Sequence, residues 1–145
     1  MISIRQLLEA KGSEVWSTSP DASVYEALQL LAEKNIGALM VLRDGELAGV
    51  VSERDYARKV ILRGKTSMKT PIKEIMTEEV ITVGIGITVE EAMALMADKR
   101  IRHLPVMEGE KIVGVVSIGD LVKAIMADQE FTIDQLEKYI SGTRS

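Results

Sequence analysis

The strongest constraint on how this 145-residue chain can fold is an internal repeat. When the sequence is shifted by 65 residues, positions 16–60 align without a gap with positions 81–125, and 14 of the 45 aligned residues are identical. A shorter match precedes each copy, with residues 4–8 similar to residues 72–76 at an offset of 68. We therefore expect two related units of about 60 residues, a size that buries little apolar surface alone.

Both repeats predict the same order of elements, β-α-β-β-α. Ser23 and Thr88 are typical N-cap residues, and each is followed by apolar residues at the i, i+3, i+4, i+7 spacing of a helix. Two short apolar runs around a glycine-containing turn then predict paired strands before a second helix. The predicted segments are strands at 15–18, 38–42 and 47–51 and a helix at 55–62 in repeat 1, and strands at 80–83, 104–107 and 112–116 and a helix at 120–126 in repeat 2. We expect an α/β (α+β) fold in which two pseudo-symmetric units pack through their sheets around a shared core.

The repeat also predicts domain limits. We expect a first domain at 1–68, a second domain at 69–128 and a C-terminal helical tail at 129–145. Apolar residues recur in this tail at near-helical spacing, namely Phe131, Ile133, Leu136 and Ile140. Such a face would dock on a partner or on a second copy of the chain.

Composition excludes several classes of site. The chain has no cysteine, which excludes disulfides, thiolate catalysis and cysteine-ligated zinc, and its single histidine, His103, excludes sites built on two or more histidines. Aromatic residues make up 3%, too few for base stacking on single-stranded nucleic acid. No apolar run approaches the ~20 residues of a membrane helix, and the first residues lack a secretory pattern, so we expect a cytoplasmic protein. Since no phosphate-binding glycine loop and no catalytic constellation is present, we expect neither enzyme activity nor a metal requirement.

The net charge of −4 is unevenly distributed. Residues 53–73 carry seven lysines and arginines against two acidic residues, whereas the segments on both sides are acidic. The basic stretch is either a solvated linker or a patch that neutralises an anionic ligand. Residues 54–73 are also a candidate surface for nucleic acid, although a weak one without aromatic residues.

One short motif, Gly-Val-Val-Ser-x-x-Asp, occurs at 49–55 and again at 114–120. It lies where a predicted strand passes into a helix. Its serine and aspartate have the spacing of a capping box, which satisfies free backbone N–H groups. The same turn suits a ligand, because a helix N-terminus favours phosphate or ribose oxygens and a carboxylate can accept hydrogen bonds from two vicinal hydroxyls. Both interpretations stay open for the two pairs, Ser52 with Asp55 and Ser117 with Asp120.

The repeats differ at the start of their middle strand. Repeat 2 has Arg100, Arg102 and His103 there, whereas repeat 1 has small uncharged residues, among them Gly37 and Ala38. Arginine offers a forked donor for phosphate, and histidine adds a hydrogen bond or a charge. The segment of repeat 2 is therefore either a phosphate-binding group or an exposed loop.

The duplicated unit resembles a tandem cystathionine-β-synthase (CBS) domain pair, or Bateman module. The resemblance rests on the doubled Gly-x-x-Ser-x-x-Asp motif and on the sequence Ile-Arg-His-Leu-Pro-Val at 101–106. The stretch 52–59, with Arg63 and Gly64, further resembles CBS-pair proteins of bacteria and plant organelles in which the module stands alone. The resemblance covers roughly residues 4–126.

The resemblance implies a homodimer and two clefts between the paired domains that bind adenosyl ligands. In this family, aspartates bind ribose hydroxyls, serines contact ribose or phosphate, and apolar residues border the adenine. Carried over position by position, these residues are Asp120, Ser117, Ile101 and Val83 in repeat 2, and Asp55, Ser52, Ile36 and Thr18 in repeat 1. Arg102 and His103 lie where phosphate-binding side chains occur. Gly37 and Ala38 offer no such side chains in repeat 1, where Arg54 and Arg58 would take their place.

Three functions are compatible with these features. The preferred one is a regulatory sensor that binds an adenine nucleotide (AMP, ATP or NAD, with S-adenosylmethionine as a further candidate) and acts on an unknown regulated protein. The second is a scaffold whose clefts are empty and whose Ser-x-x-Asp motifs are only helix caps. The third is weak nucleic-acid binding through residues 54–73.

Overall fold

The computed structural model describes residues 2–140, and five helices and two three-stranded sheets form in this range. The helices are α1 (Ile4–Lys11), α2 (Val24–Lys34), α3 (Glu53–Lys59), α4 (Val89–Lys99) and α5 (Ile118–Ile140). The strands are β1 (Ser17–Thr18), β2 (Ala38–Arg43), β3 (Glu46–Ser52), β4 (Val83–Gly84), β5 (His103–Glu108) and β6 (Lys111–Ser117). Short 3-10 helices lie at Ile61–Arg63 and Ile72–Glu74. The mixed α/β fold and the β-α-β-β-α order of each repeat are confirmed.

The two sheets share one topology. In each, a two-residue strand lies parallel to the middle strand, which pairs antiparallel with the third, giving the orders β1-β2-β3 and β4-β5-β6. The hairpin turns contain residues at positive φ, Asp44 and Gly45 in one and Gly109 in the other, as tight hairpins require. The antiparallel register shifts after Val41 and, 65 residues later, after Val106. The repeats thus share irregularities as well as regular pairing.

Some element limits differ from those predicted from the sequence. β1 and β4 are short because only two residues of each pair with the middle strand. The second helix of repeat 1 ends at Lys59 and is followed by the 3-10 helix Ile61–Arg63. The second helix of repeat 2 continues to Ile140, because no glycine or proline interrupts 120–140. Residues 141–145 of the predicted tail lie outside the described range.

The described chain forms two compact units. The contiguous unit is Glu14–Ile81, and the split unit combines the described parts of Met1–Ser13 and Thr82–Ser145. Helix α1, which precedes repeat 1, therefore belongs with repeat 2, while the 3-10 helix that precedes repeat 2 belongs with repeat 1. The limits 1–68, 69–128 and 129–145 follow sequence order and stay a prediction, whereas the compact units exchange these two segments.

Backbone hydrogen bonds hold each exchanged segment against the start of a helix. Each unit has two such hydrogen bonds, and the residues of one exchanged segment that form them lie 68 positions before those of the other. These hydrogen bonds are Ile4 N to Ile87 O at 2.8 Å and Val89 N to Ile2 O at 2.9 Å in the split unit, and Ile72 N to Ala22 O and Val24 N to Thr70 O, both at 2.9 Å, in the contiguous unit.

A glycine in each third strand makes room for the exchanged segment. A Cβ on Gly114 would lie 2.8 Å from Leu8 Cδ1, and a Cβ on Gly49 would lie 2.8 Å from the carbonyl oxygen of Thr77 and 2.9 Å from Met76 Sδ. These are the glycines of the repeated motif. Their place in the motif therefore has a packing reason that is independent of any ligand.

Candidate functional site

Each unit has a candidate site where its third strand passes into a helix. In the contiguous unit, Asp55 N donates to Ser52 Oγ at 3.2 Å and Ser52 N donates to Asp55 Oδ2 at 2.9 Å. In the split unit, Asp120 N donates to Ser117 Oγ at 3.1 Å and Ser117 N donates to Asp120 Oδ2 at 2.8 Å. The capping-box prediction is confirmed in both repeats. Each aspartate thereby has a fixed orientation at a helix N-terminus.

A lysine contacts each of these aspartates, and neither lysine is among the predicted site residues. Lys59 Nζ lies 3.2 Å from Asp55 Oδ1 and donates to the carbonyl oxygen of Ile75 at 2.9 Å. Lys11 Nζ lies 2.6 Å from Asp120 Oδ2 and donates to the carbonyl oxygen of Val115 at 2.8 Å. Each lysine therefore joins the site to the backbone of its own unit.

The two carboxylates differ in the hydrogen-bonding capacity that they keep. Both oxygens of Asp55 are engaged, Oδ2 by Ser52 and Oδ1 by Lys59. In Asp120, Oδ2 takes both contacts, and no donor among the described residues engages Oδ1. Since no buried side-chain oxygen in that part of the chain lacks a partner, Asp120 Oδ1 reaches solvent. Asp120 can thus accept further hydrogen bonds without losing those it has.

The protonation of Asp120 depends on its neighbours. Partial burial raises the pKa of its carboxyl group, but the hydrogen bond and positive charge of Lys11 and the hydrogen bonds from Ser117 together outweigh that effect. The pKa of Asp120 is therefore lowered from the ordinary value of 3.8. The carboxyl group is ionised, and acts only as an acceptor, throughout the neutral range.

The start of the middle strand lies beside each cap. Glu53 N donates to the carbonyl oxygen of Gly37 at 3.1 Å, and Ile118 N donates to that of Arg102 at 2.8 Å. In the sheets, Ala38 pairs with Ser52 and His103 pairs with Ser117. The structure therefore brings together the predicted serine, aspartate and strand-start residues of each repeat. The Arg102 side chain is exposed and that of His103 is half-buried.

Other predicted site residues lie farther from the caps. Thr18 pairs with Val41 and Val83 pairs with Val106, on the side of the middle strand opposite the capped strand. Val41 and Val106 are three residues beyond the start of their strands, so Thr18 and Val83 lie about 10 Å along the sheet from the strand starts. Ile36 and Ile101, by contrast, are half-buried next to Gly37 and Arg102, beside the caps. Within one unit, only a ligand of extended shape could contact both the capped aspartate and the predicted site residue of β1 or β4.

Two arginines of the contiguous unit project from α3. Arg54 and Arg58 are exposed and lie four residues apart, which places them on the same face of the helix. Neither forms an ion pair with any acidic side chain in the part of the chain that the structure describes. Both guanidinium groups are thus available to an anion.

Residues 2–140 offer neither a metal site nor a membrane-spanning helix. No group of three or more histidine, aspartate or glutamate residues there is placed to hold a metal ion. None of the five helices in that range combines the length and the apolar character that a membrane crossing demands.

The duplicated unit has counterparts in known proteins. The family model named CBS domain matches the chain twice, at residues 11–62 and 72–127. The chain belongs to the CBS-domain family. Its similarity to the CBS domain-containing protein CBSX3, mitochondrial, of Arabidopsis thaliana is 44% identity over 138 residues, or 92% of this chain and 66% of that protein. This CBS pair therefore spans slightly less than two thirds of the length of that relative.

Solved structures of CBS proteins share the fold. A protein with CBS domains from Burkholderia ambifaria MC40-6 is 47% identical, with a TM-score of 0.85 over 88% of this chain and 96% of that one. The CBS domain pair of protein MJ0100, solved with 5′-methylthioadenosine and S-adenosyl-L-methionine, is 24% identical, with a TM-score of 0.78 over 88% and 98%. The second likeness establishes the common fold.

Proposed function

We propose that this CBS pair is a regulatory module that binds an adenosyl ligand and carries out no catalysis. The observation that supports it best is the Asp120 carboxylate, which is ionised, oriented by its cap and open to solvent at Oδ1. Arg102 and His103 begin the strand that pairs with the one ending at Ser117. A hydrogen-bond acceptor for ribose and candidate hydrogen-bond donors to phosphate thus lie at one end of the sheet. The MJ0100 CBS pair is an example of this fold holding adenosyl compounds.

The proposed binding mode assigns one role to each group. Asp120 Oδ1 accepts hydrogen bonds from the two ribose hydroxyls, and Ser117 contacts ribose or phosphate. Arg102 and His103 bind the phosphates of AMP, ATP or NAD, or the charged end of another adenosyl compound. Ile101 and Val83 border the adenine. Binding would stabilise one conformation of the module over another and so regulate a protein still to be identified.

The site of the contiguous unit is proposed as the weaker of the two. Asp55 Oδ1, which Lys59 already contacts, can accept one further hydrogen bond, so it can bind both ribose hydroxyls only by displacing Lys59. Gly37 and Ala38 supply no phosphate-binding side chain, so that role falls to Arg54 and Arg58. In this site we assign to Ser52, Ile36 and Thr18 the roles that Ser117, Ile101 and Val83 have in repeat 2.

The test measures ligand-induced thermal stabilisation with AMP, ADP, ATP, NAD and S-adenosylmethionine. A ligand at about 100 times its dissociation constant contributes roughly 2.7 kcal/mol, which raises the melting temperature by about 5–10 °C. Asp120→Asn should weaken binding roughly 10- to 100-fold, because it removes a charged acceptor. Asp55→Asn should have a smaller effect. Absence of any shift in the wild type at millimolar ligand would refute the proposal.

Lys11→Met is the matched control. Both Lys11→Met and Asp120→Asn abolish the charged contact between the two side chains, but only Asp120→Asn removes the charged acceptor. If Asp120 serves only its cap and its ion pair, both variants lower the melting temperature without ligand and keep the ligand-induced shift. If it binds ribose, Lys11→Met keeps or increases the shift, and Asp120→Asn loses most of it.

A scaffold without a ligand is the second candidate, and the formed capping boxes in both repeats favour it. It predicts no stabilisation by any adenosyl compound. Weak nucleic-acid binding through residues 54–73 would instead give a salt-dependent shift with RNA or DNA. Homodimer formation and a cytoplasmic location belong to the proposal as well, and the name of the Arabidopsis relative gives a mitochondrial location for that protein.

A further inference from the structure

Helix α5 exposes a regular apolar stripe. Its 23 residues extend about 34 Å, and Leu121 is its only buried residue. Besides Phe131 and Tyr139, which are 63% and 85% exposed on other sides of the helix, five large apolar residues are exposed: 41% for Val122, 54% for Met126, 55% for Ile133, 56% for Leu136 and 82% for Ile140. Together with Gln129, these residues recur at alternating spacings of four and three. This pattern, which we call the heptad stripe, is that of a helix paired with another helix.

The heptad stripe is self-complementary when two copies run in opposite directions. In heptad terms, Met126, Ile133 and Ile140 are a positions, and Val122, Gln129 and Leu136 are d positions. An antiparallel pair places a residues of one helix against d residues of the other. Met126 then meets Leu136 of the second copy, Ile133 meets Gln129, and Ile140 meets Val122. All six positions are covered with no overhang.

The residues beside the heptad stripe decide the direction. In the antiparallel register, Lys123 lies beside Glu137 of the second copy, and symmetry forms this pair twice. Ile125 lies beside Tyr139 in the same way, while Glu130 meets its own copy once. A parallel pair would put Ile125 beside Glu130 and Thr132 beside Glu137, which offers no opposite charges. Two attractive pairs outweigh one repulsive contact between exposed groups.

We propose that the partner of the heptad stripe is α5 of a second copy of this chain, in antiparallel orientation. The inference rests on the proposed homodimer, and it does not depend on whether an adenosyl ligand binds. It also separates the faces of the helix. Phe131 lies opposite the heptad stripe and takes no part in the pairing. Lys138 and Asp134, which form an ion pair at 3.3 Å, also lie off the stripe.

Engineered disulfides test the proposal, since this chain contains no cysteine of its own. The double variant Met126→Cys/Leu136→Cys should form a covalent dimer under mild oxidation, whereas each single variant should stay monomeric on a non-reducing gel. An intrachain bond is excluded because ten helical residues separate the two sites by about 15 Å. Ala127→Cys/Gln135→Cys, off the heptad stripe, is the matched control and should not cross-link.

The outcomes are distinct. Cross-linking of either single variant would show parallel helices and overturn the proposal. Absence of cross-linking in the double variant, with helix content unchanged by circular dichroism, would also overturn it. All four substituted residues are exposed on α5, and none of them is its buried residue Leu121.

Charge reversal gives a second, independent measurement. Lys123→Glu should weaken dimerisation about ten-fold, because it turns two attractive pairs into two repulsive ones. Adding Glu137→Lys should restore the original affinity, since the pairs then form with their signs exchanged. An unchanged dimer affinity in Lys123→Glu, or no recovery in the double variant, would contradict the antiparallel register.

Discussion

Ser117 and Lys11 both orient Asp120, but only the contact with Ser117 can be predicted from a local sequence pattern. Ser117 lies three residues before it, and the capping pattern predicts that contact. Lys59, the equivalent cation in repeat 1, lies four residues after Asp55, a spacing that brings side chains together on a helix and could have identified it. Lys11 is 109 residues from Asp120. Its contact depends on the placement of α1, which no local pattern indicates.

The pair formed by Lys11 and Asp120 predicts a pH dependence of stability. Because the pKa of Asp120 is lower in the folded chain than in the unfolded one, the ion pair stabilises the fold at pH values above the ordinary 3.8. That contribution is lost as the pH falls through the lowered pKa. We expect Lys11→Met to reduce the free energy of unfolding by about 0.5–1 kcal/mol at pH 7, and this difference to shrink below pH 4.

Urea unfolding of both proteins from pH 7 down to pH 2.5 measures this difference. In an Asp120→Asn background, Lys11→Met should cost the same at every pH in that range. The remaining cost is the hydrogen bond from Lys11 to the carbonyl oxygen of Val115, which does not titrate there. A difference that grows towards acid pH would contradict the assigned direction of the pKa.

At the scale of elements, the repeat made most of the fold predictable. Helices α2 and α4 begin after their predicted caps, and the paired strands lie at the predicted apolar runs. The lengths of β1 and β4 were not predictable, because they depend on how many residues pair with a neighbouring strand. The unbroken length of α5 was missed because its apolar pattern changes where the helix leaves the repeat.

The glycines of the third strands predict unequal costs of substitution. Gly49→Ala should lower the free energy of unfolding by about 2–3 kcal/mol, because its Cβ meets the backbone oxygen of Thr77. Two backbone hydrogen bonds to Val50 fix that residue, at 2.8 and 3.0 Å. Gly114→Ala should cost about 1 kcal/mol or less, because the end of the Leu8 side chain can move. Urea unfolding measures both, and a larger loss for Gly114→Ala would contradict the packing argument.

At the scale of the whole molecule, the exchange of two segments is the least predictable feature. The sequence shows that residues 4–8 and 72–76 are related, and it indicates that each precedes a repeat. It does not show which repeat each one packs on, because both repeats offer the same glycine and the same helix start. Only the tertiary structure distinguishes the two arrangements.

Core substitutions in the exchanged segments test the arrangement. Ile4→Ala should lower hydrogen-exchange protection mainly in residues 82–140, and Ile72→Ala mainly in residues 14–81, each by an amount equivalent to about 2–5 kcal/mol. Both side chains are fully buried, so the two variants are matched in chemistry. If each variant instead weakened the repeat that follows it in the sequence, the exchange would be wrong.

The split unit has a consequence for synthesis on the ribosome. The contiguous unit is complete once residue 81 has been made, and it can fold while translation continues. Lys11 must wait for Val115, 104 residues later, which takes roughly 5–20 s at ordinary elongation rates. During that interval the apolar face of α1, with Ile4 and Leu8, has no native partner. The nascent chain therefore carries a folded unit together with an amphipathic segment whose native contacts have not yet formed.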